Sequence, residues 1–159
     1  MSVALLAIIA AGIALIVAAI WDVSRFEIPD TISVVILAAA VAYGLATPGF
    51  NWISHIGAMA LFFGCGLFMF SRGWLGGGDV KVMTACAAWA GLSGLLMQLA
   101  LISVAGGALV GALMLGRVIV RLSGRDPVQT LHLFRADARV PYAVAIAGGV
   151  AWWGAITFA

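Results

Sequence analysis

The sequence predicts an all-α integral membrane protein: one domain over residues 1–159, built from six transmembrane helices. Three observations carry that expectation. Hydrophobic residues make up 65% of the chain and charged residues only 9%, against roughly 25% charged in soluble domains. The mean hydropathy is +1.19. Apolar runs recur at about the 20 residues that a helix needs to cross a ~30 Å hydrocarbon core. The two cysteines, Cys65 and Cys86, lie in separate apolar runs without CxxC spacing. That argues against a zinc site or a disulfide framework and leaves them as small apolar core residues.

The first span is Val3 to Trp21. No Lys or Arg precedes Arg25, so this run lacks the basic start of a signal peptide and reads as a membrane helix. A polar loop follows from Asp22 to Asp30, and the second span runs from Thr31 to Leu45, with Asp30 or Thr31 as its N-cap. Thr47-Pro48-Gly49-Phe50-Asn51 is a turn, and Trp52 to Phe70 is the third span. A glycine-rich loop, Ser71 to Asp79, precedes the apolar stretch Val80–Val120. At 1.5 Å per residue that stretch is ~60 Å long, twice the core thickness, so two spans are expected.

The best break in it is Gly91-Leu92-Ser93-Gly94. The fourth span, Val80 to Ala90, is then only ~17 Å long, which draws its start back to Asp79 or earlier and Asp79 toward membrane depth. The fifth span is Leu95 to Val118. A basic loop, Arg121 to Arg139, follows, and the sixth span is Pro141 to Phe158.

The basic residues set the orientation. Arg25, Arg72, Lys81, Arg117, Arg121, Arg125, Arg135 and Arg139 all fall in or beside the first, third and fifth loops. The positive-inside rule makes that side cytoplasmic and both termini periplasmic. Asp22, at the end of the first span, and Asp79, at the start of the fourth, then share the cytoplasmic face. A carboxylate at membrane depth costs several kcal/mol and marks a functional site by default. Two carboxylates at one place can hydrolyse a peptide bond without a metal or a covalent intermediate. One takes a proton from water and the other gives one to the carbonyl oxygen. Near neighbours do not both ionise easily, so their protonation states split and they titrate as a unit.

Asp22 is followed by Arg25 and by Ile28-Pro29-Asp30, while Gly76-Gly77-Gly78-Asp79 runs into Val80-Lys81. Pro141-Tyr142 opens the last span. The glycines read as a segment open to unusual backbone conformations and to close approach by a substrate backbone. Together these motifs resemble those of the type IV prepilin peptidases, GxGD aspartyl proteases of bacterial inner membranes, over essentially the whole chain. The resemblance implies an intramembrane aspartic endopeptidase that clips the short basic leader from prepilins at the cytoplasmic face, with Asp22 and Asp79 catalytic. Gly76, Gly77, Gly78, Arg25, Lys81, Pro29 and Asp30 would support the motifs or the substrate.

The partners implied are the prepilin helix, the bilayer and the pilus assembly machinery, with no metal, no cofactor and no nucleic acid. Larger members carry an N-terminal cytoplasmic insertion with paired cysteines that binds zinc and accompanies methylation of the new N-terminus. Without that insertion, the chain looks like the short CpaA/TadV-like type associated with Flp/Tad pili, a peptidase without methyltransferase activity. The Gly-x-Gly-Asp motif is also shared with presenilin-type proteases, but chain size and the short first loop favour the prepilin group.

Other polar residues have plainer readings. Asp30 caps the second helix, Glu27 is solvated, and Arg25 and Lys81 anchor topology beside the aspartates. His55 sits at the opposite interface, and His132 has no neighbours that complete a triad or metal site. The stretch 121–139 resembles an amphipathic segment on anionic lipid. The tryptophans fall mostly at interfaces. The main alternative function is a small ion- or proton-coupled transporter, which would carry polar groups at both faces, whereas the acidic residues here cluster at one. A structural subunit packing through Gly107 and Gly111 is the third option, although packing within the monomer explains those glycines equally well.

Overall fold

The computed structural model describes residues 2–123 and 140–158. They form α1 (Val3–Arg25), α2 (Asp30–Ala46), α3 (Trp52–Ser71), α4 (Gly77–Leu122) and α5 (Tyr142–Phe158). The expectation of six transmembrane helices is therefore corrected. Among the described residues there are five helices, and three of them, α1, α3 and α4, are long and apolar enough to cross a membrane. Helices α2 and α5 have 17 residues each, or ~26 Å. The expected fourth and fifth spans lie within the 46-residue element α4, in which two helical stretches meet at a kink at Gly91, within the break that was expected. Hydropathy reports the length of apolar chain, not how the helices divide it. Most of the basic stretch 121–139, His132 included, lies outside the described residues.

Helix α4 bends sharply at Gly91, whose φ of 63° and ψ of 176° leave the helical region. Only glycine adopts that conformation readily. Ser54 and His55 of α3 hold the bend. Ser54 Oγ accepts from the Leu92 N–H at 2.9 Å, and His55 Nδ1 lies 2.7 Å from the Ala88 carbonyl oxygen. His55 also stacks on Phe50 at 4.0 Å. The histidine placed at an interface by sequence is thus a brace for the bend. Beyond it, α4 returns along α5. Gly94 meets Trp153, Gly106 meets the Tyr142 ring, and a Cβ on Gly149 would fall on the backbone of Ile102. Such close helix approach is how membrane helices gain packing where lipid removes the hydrophobic drive between them.

The core is made largely of small residues. Ala7, Ala11, Ala14 and Ala18 form a buried stripe on α1, which packs on α2 and α5. Helix α4 packs on α2, α3 and α5. Trp89 and Trp153 are buried in this core. The Trp89 indole N–H is satisfied by the Ile36 carbonyl at 3.1 Å, and both rings pack edge-on against Phe158. Cys86 is buried, as expected of a small apolar residue, but Cys65 is exposed on α3. Among the described residues, nothing lies within 4 Å of a Cβ added at Gly107 or at Gly111. Many large apolar side chains face outward, among them Ile13, Ile20, Phe63 and Leu96, as expected of a surface solvated by lipid.

Candidate active site

Asp22 and Asp79 line one cavity of about 670 Å³. It opens where α1 and α3 end and where α4 and α5 begin. Its walls are Phe26 from the end of α1, Met69 and Phe70 from α3, the segment Gly73 to Gly77, and Val140 and Tyr142 at the start of α5. A second cavity of about 500 Å³ lies among Ile8, Leu15, Ile36, Cys86, Trp89 and Val150. Apart from the Cys86 thiol its lining is apolar or aromatic, and it offers no acid–base pair for hydrolysis.

Asp22 lies inside α1, one turn before its end at Arg25, rather than in the loop expected after Trp21. It is buried. Its Oδ2 accepts a 2.9 Å hydrogen bond from the N–H of Ala143. The first N–H groups of a helix have no partner within it, and they carry the positive end of its dipole. Asp22 therefore serves as a partner for the first turn of α5, and α5 fixes the carboxylate's orientation. Helix α1 closes at Phe26, which adopts a left-handed φ of 54° and returns its N–H to the Asp22 carbonyl. That conformation is usually left to glycine at helix ends. Here it turns an aromatic ring into the cavity wall.

Asp79 occupies the first turn of α4, which begins at Gly77, as the length arithmetic requires. Gly76 is the N-cap, and Asp79 is the third residue of the helix, with its carboxylate lying close against Gly76. A Cβ on Gly76 would lie 2.9 Å from Asp79 Oδ2. The expectation that these glycines supply unusual backbone conformations is corrected: none of Gly76, Gly77 and Gly78 has a positive φ. Gly76 leaves room for the carboxylate, and Gly78 leaves room for Ile28, whose Cβ would lie 3.3 Å from an added one. Asp22 and Asp79 line the same cavity.

The supporting residues divide. Ile28 packs on Gly78, so the two motif segments touch. Asp30 is the first residue of α2, whose N-cap is Pro29. The reading of Asp30 as a cap is corrected: its Oδ1 meets Lys81 Nζ at 2.6 Å. Arg25 is exposed and lies over the Trp21 ring at 4.8 Å, away from the cavity. Among the described residues no group of three or more His, Cys, Asp or Glu side chains has metal-binding geometry. Sequence reasoning missed the Ala143 amide. Only the Pro141-Tyr142 pair, which starts α5 at the cavity, pointed to that region.

The chain matches the family described as Type IV leader peptidase family over residues 9–111, well over half its length, and the match includes both aspartates. No curated protein and no solved structure matches it. The chain belongs to the type IV leader peptidase family: it is a multi-pass intramembrane aspartic endopeptidase of the inner membrane that removes prepilin-type leader peptides.

Proposed function

We propose that Asp22 and Asp79 are the catalytic pair of this peptidase. The observation that carries the reading is that both carboxylates, from helices 57 positions apart in sequence, line the same cavity. A water between them attacks the scissile carbonyl carbon as the ionised carboxylate takes its proton. The protonated partner donates to the carbonyl oxygen. Collapse of the resulting diol breaks the C–N bond, and a proton passes to the leaving amine. The two carboxylates exchange roles through the cycle, so acid and base belong to the pair.

The substrate's apolar helix sits in the bilayer, with its basic leader on the side of the cavity mouth. That side is cytoplasmic in this reading. Arg25, Arg72 and Lys81 gather at the same end, as the positive-inside rule expects. Helix α1 begins and α5 ends at the opposite end, which is then periplasmic. The short Flp/Tad-type assignment is supported by the cysteines of the sequence, Cys65 in α3 and Cys86 in α4, which form no zinc-binding pairs. Peptidase activity without methylation, in service of a pilus assembly machinery, follows from that assignment.

Co-expression with a small pilin precursor tests the pair. Mass spectrometry of the wild-type product should show a mature N-terminus just after the basic leader. Asp22→Asn and Asp79→Asn should each leave only precursor while still inserting in the membrane. Processing by either variant would contradict the assignment.

A further inference from the structure

We infer that Asp30 and Lys81 form a positioning pair that sets the spacing between Asp22 and Asp79. The inference rests on the catalytic reading of those two aspartates. The corner joining α1 to α2 carries Asp22 at its near end and Asp30 at its far end, and it is tied to neighbouring helices at three points. Asp22 accepts from Ala143 of α5. Ile28 packs against Gly78, directly before Asp79. Asp30 meets Lys81, two residues after Asp79, at 2.6 Å.

The last two ties bracket Asp79 in the first turns of α4. One is an apolar contact in which a Cβ on Gly78 would meet Ile28 at 3.3 Å. The other is the ion pair, with side chains 50% and 72% exposed for Lys81 and Asp30. An exposed pair is worth little as a contribution to global stability, about 0–1 kcal/mol. Its consequence here is local: it ties the corner that carries Asp22 to the start of α4, which carries Asp79. A small displacement of a reacting group is costly to rate, because catalysis depends on orientation to within a fraction of an ångström.

The test uses the full-length enzyme in proteoliposomes, with a precursor peptide containing the leader and the first apolar helix. Lys81→Gln and Asp30→Asn are each expected to lower kcat about three- to tenfold, with KM and melting temperature unchanged. Lys81→Arg keeps the charge and should keep the rate. The exchanged pair, Asp30→Lys with Lys81→Asp, should recover most of the lost kcat.

Wild-type kcat in the single variants would overturn the inference. So would a loss of rate that follows a lowered melting temperature, since that marks a structural role alone. Should the exchanged pair fail to fold, Lys81→Arg against Lys81→Gln decides the matter: equal rates overturn the inference. An Asp22→Asn enzyme run alongside separates the two readings. If it cleaves, the catalytic pair fails. If it is inert while Lys81→Gln cleaves at the wild-type rate, the positioning pair alone fails.

Discussion

The N–H of Ala143 donates a 2.9 Å hydrogen bond to Oδ2 of Asp22, joining residues 121 positions apart. It makes the start of α5 part of the site, although the side chain of Ala143 has no chemistry of its own. Ala143→Pro removes the donor at a place near a helix start where proline is tolerated. Loss of a hydrogen bond to a charged group is worth about 1.5–3 kcal/mol. A fall in kcat of roughly tenfold or more is expected in a reconstituted cleavage assay. Ala143→Gly keeps the N–H and should stay within about threefold of wild type.

Gly76 and Gly77 are adjacent, yet they should respond differently to alanine. A Cβ on Gly76 meets the Asp79 carboxylate at 2.9 Å, whereas one on Gly77 meets the Phe70 ring at 3.4 Å. The first contact must push the carboxylate aside, and the second asks a side chain to shift slightly. Gly76→Ala is expected to lower kcat at least tenfold and Gly77→Ala by no more than about threefold. Equal effects in single-turnover cleavage would refute this account of the glycines.

Gly91→Ala puts a side chain at φ 63° and ψ 176°, against Ser54 Oγ at 3.0 Å and His55 Nε2 at 3.2 Å. The backbone term alone costs about 1–3 kcal/mol. Thermal melting in detergent should show a clear loss of stability. Ser54→Ala, which removes only the acceptor for the Leu92 N–H, should cost about 1 kcal/mol.

A pair that needs one ionised and one protonated carboxylate gives a bell-shaped dependence of kcat/KM on pH, with both limbs belonging to the pair. A pH series on the purified enzyme checks this. A single sigmoidal limb across the stable range would contradict it.

Much of the site was legible in the sequence because its signals are residue types at unusual places. Two carboxylates bordered apolar runs, glycines preceded one of them, and Gly91 stood where a long apolar stretch had to turn. The helix count was not legible. Hydropathy located the break at Gly91 and the short runs of α2 and α5, but it does not show which helices are long enough to cross: among the described residues only three are. The Ala143 amide was hidden because every residue except proline carries an N–H. The Asp30–Lys81 pair was hidden because both residues had adequate local roles, a cap and an anchor.

The central claim is that Asp22 and Asp79 act together on one peptide bond. The most direct measurement is single-turnover cleavage of a precursor peptide by purified wild-type, Asp22→Asn and Asp79→Asn enzymes in proteoliposomes, with folding verified by melting. The account predicts that both variants are inert, at least a thousandfold below wild type or ~4 kcal/mol of barrier, and that the double variant is no slower than either single one. Substantial turnover by one variant, or losses that add in the double variant, would contradict it.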